Sequence, residues 1–163
     1  MMASSRYVRI MKETIAQKRD SKRRRIRFRT RGSSIGIVAA STDQIVSKLE
    51  RGFSFQSLRE LESQSGISIA MIASVVGIPE RTLARRRATE RLTTQESERL
   101  LRIAILFEKT VELFEGDVAA ATRWLTTPQQ ALGRRSPLLY ARTEPGAREV
   151  ESLIGRLEHG VFS

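Results

Sequence analysis

The stretch Gly66–Arg87, GISIAMIASVVGIPERTLARRR, carries no charge until Glu80 and then closes on three consecutive arginines. Ser68 can cap a helix, and Ile67 stands five residues before Ile72, the hydrophobic-staple spacing that fixes how a chain enters a helix. That helix is predicted to run through Met71, Ile72, Val75 and Val76 and to stop at Gly77. Pro79 then pre-sets φ for a second helix bearing Arg81, Thr82, Leu83, Arg85, Arg86 and Arg87. Two helices crossing at a sharp angle need a small residue at the crossing, a glycine in the turn and apolar residues that pin the second helix. Ala73, Gly77, Ile78 and Leu83 stand at those offsets, which makes this a helix-turn-helix pattern. The greasy half supports the unit, and the arginine-rich half is the helix offered to a major groove. Arg81, Thr82 and Arg85 lie on its early turns, within reach of base edges, whereas Arg86, Arg87 and Arg91 suit phosphates. Arg86 occupies a position that is usually apolar in the motif.

The chain upstream of this unit is charged very unevenly. Residues 1–31 hold twelve Lys or Arg against Glu13 and Asp20, so they carry nearly all of the net charge of +11. The segment KRDSKRRRIRFRTR, residues 18–31, has nine bases in fourteen residues, with Ile26 and Phe28 as its only apolar groups. Such a run repels itself and buries little, so residues 1–42 are expected to be a disordered basic extension, with Gly32, Ser33, Ser34 and Gly36 as a hinge. Met1, Met2 and Met11 are alternative starts of that arm. On nucleic acid it would neutralise phosphates without reading sequence.

Helical periodicity begins at Asp43, with Ile45, Leu49 and Phe53 on one face and Gly52 as a stop. A second short helix is expected over 55–64, burying Leu58 and Leu61 and ending at Gly66. Beyond the arginines, Thr93 and Glu96 have capping-box spacing at the head of a longer helix. Its apolar positions, Leu100, Ile103, Ala104, Phe107, Val111 and Phe114, are widened by Leu101, Ile105, Leu106 and Leu113. An arc that wide calls for cover on two sides, by the helix-turn-helix and by the C-terminal segment or a second subunit. Asp117 caps a helix with Trp124 and Leu125 as core anchors, and Ser136-Pro137 opens a short one through Tyr140. The last helix buries Val150, Leu153, Ile154 and Leu157. Gly155 interrupts it and suggests close approach by another backbone, His159 sits in the last turn where an imidazolium suits the helix dipole, and Gly160 is the C-cap.

Several function classes fall away on composition. The chain of 163 residues has no cysteine and a single histidine, so disulfides, thiolate ligands, a cysteine nucleophile and a multi-histidine metal site are excluded. The longest apolar window, Ile67–Ile78, is too short to cross a bilayer. No Gly-rich phosphate loop follows a strand, so no nucleotide cofactor is expected. The residues alone describe an all-α, non-enzymatic, cytoplasmic DNA-binding protein, with a helix-turn-helix domain over 43–92 and a second helical domain over 93–163. Two rivals stay open: a stand-alone transcription regulator whose C-terminal half only dimerises, and a non-specific nucleic-acid binder driven by the arm.

The runs GIPERTLARRR (77–87), RLTTQESERLLRIA (91–104) and RWLTTPQQALGRRSPLLYARTEPGAREVESLIGRLEHGVF (123–162) resemble the Xre-type antitoxins of RES-Xre toxin-antitoxin systems, a group that includes the MbcA and ParS-like toxin-binding domains. The resemblance extends over residues 43–162; the basic arm lies outside it. It implies a C-terminal domain that binds a RES-domain toxin, an enzyme that degrades NAD⁺, and blocks its cleft with the end of the chain. Here that end is Gly155, Arg156, Glu158, His159, Gly160 and Val161. It also implies a homodimer that binds the operator of the shared operon through the helix-turn-helix and represses it, with no metal or cofactor of its own.

Overall fold

A computed structural model of the chain describes residues 25–39 and 41–160. Within them the regular structure is helical: α1 (Thr42–Arg51), α2 (Gln56–Ser65), α3 (Ile69–Val76), α4 (Glu80–Thr89), α5 (Thr94–Leu113), α6 (Val118–Thr126), α7 (Pro137–Tyr140) and α8 (Glu144–His159). Extended backbone among these residues amounts to isolated bridges such as Arg25 with Asp117.

The helix starts follow side-chain chemistry. Ser41, Ser68, Thr93, Asp117, Ser136 and Thr143 each accept a hydrogen bond from a backbone N–H of the first turn, which satisfies one of the donors that a helix leaves open. Two glycines are demanded by close approach. A Cβ on Gly52 would stand 2.1 Å from the Leu92 carbonyl oxygen, where the chain returns past the end of α1. One on Gly146 would stand 1.9 Å from the Tyr140 carbonyl oxygen, which lets α8 start directly on the end of α7.

The long helix α5 organises the rest. Its 20 residues span about 30 Å, and Leu100, Leu101, Ile103, Ala104, Leu106, Phe107 and Val111 are all buried. It packs against α1 and α3 on one side and against α6 and α8 on another. The two sides meet in one continuous apolar core, to which Phe55, Leu58, Ile72 and Val76 contribute from the N-terminal half and Leu125, Leu132, Val150 and Ile154 from the C-terminal half.

A third cover comes from a segment that composition assigns to disorder. Residues 25–29 run along α5, with the Ile26 N–H donating to the Gly116 carbonyl at 3.1 Å and the Phe28 ring centroid 5.6 Å from that of Phe107. Arg25, Arg27, Arg29 and Arg31 alternate with these two and are exposed. Gly32 to Gly36 then form a 3-10 turn rather than a hinge. The buried carboxylate of Glu108 accepts from Gly32 N–H at 3.0 Å, Ser34 N–H at 2.8 Å and Ser34 hydroxyl at 2.6 Å, and Ile35 and Ile37 sit in the core. The expected disordered extension is thus corrected over 25–39: Ile26 and Phe28 pack on α5 and a charged acceptor holds the turn. Residues 1–24 lie outside the described residues.

A second carboxylate of α5 holds α4. Glu96 Oε2 accepts from Arg86 Nε at 2.8 Å and from the Thr93 N–H at 2.8 Å, while Thr93 accepts from the Glu96 N–H, completing the capping box. Burial alone would push the Glu96 carboxyl up; the hydrogen bonds from Arg86 and Thr93 outweigh it and hold the group below its ordinary range. A carboxylate depressed in the folded state stabilises the fold at neutral pH and loses that contribution as pH falls through its folded value. Glu96→Gln is therefore expected to cost on the order of 1–3 kcal/mol at neutral pH. In urea titrations run at decreasing pH, its deficit against the unmodified chain should close on the acid side; a deficit independent of pH would contradict the pairing. Glu108→Ala should cost on the order of 1–3 kcal/mol as well, and should speed tryptic cleavage after Arg29 and Arg31. Unchanged cleavage would mean that Phe28 and Ile35 hold the segment without the carboxylate.

Candidate functional site

The helix-turn-helix is built as its spacing predicts. The Ile78 N–H returns to the Ala73 carbonyl at 2.8 Å, closing the end of α3 through Gly77 in the left-handed conformation, and the Leu83 N–H reaches the Pro79 carbonyl at 2.8 Å as α4 begins. Ile67 and Ile72 are both buried, as the staple requires, and Ala73 and Ile78 fill the angle between the helices. Leu83 is half-buried beneath α4, which leaves Arg81, Ala84, Arg85, Arg87 and Ala88 exposed.

The arginines of α4 divide by what they touch. Arg81 and Arg85 are exposed and have no carboxylate partner among the described residues. Thr82 is half-buried beside them. Arg87 is exposed and lies over the face of the buried Phe55 ring, 5.7 Å from its centroid, with Arg59 at 5.2 Å from the same ring. Arg86 is not placed as the phosphate contact expected of it: its side chain is 16% exposed and its guanidinium is committed to Glu96, turned toward α5. The apolar position of the motif is filled here by an ion pair. Arg91 spends Nη1 on the carbonyls of Arg51 and Gly52, at 3.0 and 3.1 Å, so it first closes the end of α1 although it remains exposed.

On α8 the buried face is Ala147, Val150, Leu153, Ile154 and Leu157, and Lys109 of α5 pairs with Glu151 across the helix crossing. Arg156 is half-buried and donates to Glu149 at 3.0 Å and to Ser152 at 2.8 Å, so it is held along its own helix. Glu158 and His159 are exposed in the last turn, and Gly160 ends the helix in the left-handed conformation. Among the described residues nothing stands within 4 Å of where a Cβ on Gly155 would be, so they do not supply the close backbone contact expected there; Gly146 is the position that has one. Val161 lies outside the described residues.

One further feature has no signature in the sequence. A groove of about 560 Å³ opens between the end of α3 and the loops flanking α7, with Arg99, Arg135 and Arg142 around it. Two of these arginines come from loops, where no periodicity marks them. Among the described residues there is no cluster of His, Cys, Asp and Glu that could hold a metal ion, and no helix long and apolar enough to cross a membrane.

Residues 44–104 match the family model of the antitoxin Xre-like helix-turn-helix domain, and residues 109–160 match that of the antitoxin Xre/MbcA/ParS C-terminal toxin-binding domain. The chain is 43% identical over 130 residues to an antitoxin Xre of Yersinia enterocolitica, a stretch covering 79% of this chain and 88% of that one. It is 30% identical over 131 residues to an antitoxin Xre of Photorhabdus laumondii, covering 80% and 88%. An antitoxin Xre of Pseudomonas putida is 29% identical over 122 residues, covering 74% of this chain and 75% of its own. The helix-turn-helix with free arginines on its second helix, the further helices that follow it and these matches agree: the chain belongs to the Xre family of antitoxins, with a DNA-binding helix-turn-helix domain followed by a toxin-binding domain.

Proposed function

We propose that this antitoxin neutralises a RES-domain toxin that degrades NAD⁺ and, as a homodimer in the cytoplasm, represses the operon that encodes the pair. The observation that carries the DNA half of this reading is the pair of exposed arginines without a carboxylate partner, Arg81 and Arg85, on the early turns of α4. A planar guanidinium can bridge guanine O6 and N7, and Thr82 can meet a thymine methyl. Arg87, which lies over the Phe55 ring and is exposed, can take a phosphate that fixes register. Two copies of α4 in a symmetric dimer suit half-sites about one helical turn apart.

The toxin half rests on the 109–160 match and on the exposed side chains of Glu158 and His159 in the last turn of α8. Arg156, Glu158 and His159 form a polar tip to a helix whose other face is buried. Such a tip can enter a substrate cleft and exclude NAD⁺ without any chemistry of its own. The 155–161 stretch is the blocking element in this reading.

Arg85→Ala is expected to weaken operator binding by on the order of 1–3 kcal/mol and to relax the preference at one base pair. This is measurable by titrating operator and scrambled duplexes; equal losses on both would reduce Arg85 to a phosphate contact. Removal of the last eight residues should leave operator binding in place and abolish rescue from the co-expressed toxin, read as growth and cellular NAD⁺. Full rescue by the shortened chain would move the blocking contact elsewhere on the toxin-binding domain.

A further inference from the structure

We infer that the toxin-binding domain supplies part of the DNA interface, with Arg135 and Arg142 joining Arg99 at the helix-turn-helix turn to grip the phosphates of the strand beside the groove that α4 enters. This rests on α4 being the helix that reads the operator.

Three arginines line one groove from three elements: Arg99 from α5, Arg135 from the loop before α7 and Arg142 from the loop after it. No acidic residue lines that groove. Arg135 and Arg142 are exposed, and neither has a carboxylate partner among the described residues. Three unneutralised cations gathered in one place repel each other in the free protein, and a bound polyanion removes that cost.

Two of the three are held before any ligand arrives. Arg99 donates from Nη1 to the Val76 carbonyl at 3.3 Å, and the same nitrogen would lie 3.1 Å from a Cβ on Gly77, so its guanidinium rests on the turn itself. Arg135 lies over the Tyr140 ring, 4.3 Å from its centroid, which fixes the plane of the fork and leaves its N–H edges open. Guanidinium groups restrained in this way lose less side-chain entropy when they bind.

The position selects the polyanion. Gly77 precedes Glu80, the first residue of α4, by three positions, and in a helix-turn-helix it is the N-terminal end of the second helix whose residues reach the bases. Cations packed on the turn at that end therefore meet the sugar-phosphate strand flanking the groove, in continuity with Arg81 and Arg85. Glu80 is exposed at that end and sits at the helix N-terminus, so the arginines also offset its charge toward DNA.

The test uses the full chain and the double variant Arg135→Gln/Arg142→Gln, titrated with the duplex of its own promoter region and with a scrambled duplex, from about 50 to about 200 mM salt. The expected result is weaker binding to both duplexes alike and a log-log salt slope shallower by about 0.9 for each phosphate left without its arginine, roughly 1.8 for each protomer and roughly 3.6 for the homodimer. The melting temperature should fall by no more than a few degrees, because both side chains are exposed and, among the described residues, only the Arg135–Tyr140 contact is lost, and the toxin should still co-purify. Arg148→Gln, on the outer face of α8, should leave the slope as it is.

An unchanged slope in the double variant overturns the inference. So does an unchanged slope accompanied by loss of toxin co-purification, which would assign the groove to the toxin. Arg85→Ala is run alongside: if it alters duplex preference while the double variant keeps its slope, this inference fails and the reading of α4 stands. If Arg85→Ala alters nothing, it is the reading of α4 that fails, and the groove with it.

Discussion

The apolar arc of α5 is the constraint on which the rest of the structure depends. A helix of 20 residues that buries Leu100, Leu101, Ile103, Ala104, Leu106, Phe107 and Val111 cannot rest on a single partner. Each large apolar side chain, fully buried, is worth about 1.5–3 kcal/mol against exposure to water, so every uncovered sector would be costly. The helix-turn-helix covers one sector, α6 and α8 a second, and the N-terminal segment a third. The DNA-binding and toxin-binding domains consequently do not fold as beads on a linker, because the last helix of one continues into the core of the other. A perturbation at either end of α5 is felt by the shared core.

Two buried carboxylates give that apolar spine its register. Glu96 and Glu108 lie twelve residues apart on α5, about 18 Å along its axis and about 120° around it. Each is satisfied by donors from another segment: Arg86 and the Thr93 N–H for Glu96, Gly32 and Ser34 for Glu108. Apolar contact is non-directional and tolerates small slips, whereas a buried charge left without its donors is strongly destabilising. The ion pair therefore fixes where α4 sits on α5, and the Glu108 acceptor fixes where the N-terminal chain crosses it.

The helices were legible because their boundaries rest on local chemistry. Ser68, Thr93, Asp117 and Ser136 act as caps where their spacing predicts, and Ile67 staples to Ile72. Illegible features were those in which one residue answers to another far along the chain. Arg86 could be marked as out of place for the motif, and Glu96 as a capping partner, but only the fold brings the two together. Ile26 and Phe28 alternate with arginines in a period of two, the pattern of a half-buried extended segment, yet the charge of the run masks it until α5 is there to receive them. Gly155 and Gly146 both interrupt α8, and only the position of the Tyr140 carbonyl decides which one is required. Arg135 and Arg142 sit in loops, and what gives them a place is the turn of a helix pair some sixty residues earlier in the chain.

The distribution of partners narrows the charge that DNA can use. Arg86 cannot turn to a phosphate without stranding Glu96 and the cap of α5, so in α4 the arginine triplet contributes less than its count suggests. Arg156 is similarly occupied by Glu149 and Ser152. Arg81 and Arg85 are under no such obligation. An unpaired guanidinium on a folded surface costs the protein little, since water solvates it, but it carries its full attraction to the next anion it meets. The arginines that build the fold and those left for a partner are thus separated by whether a contact within the fold has already claimed them, and in the proposed reading the interface follows the unclaimed ones.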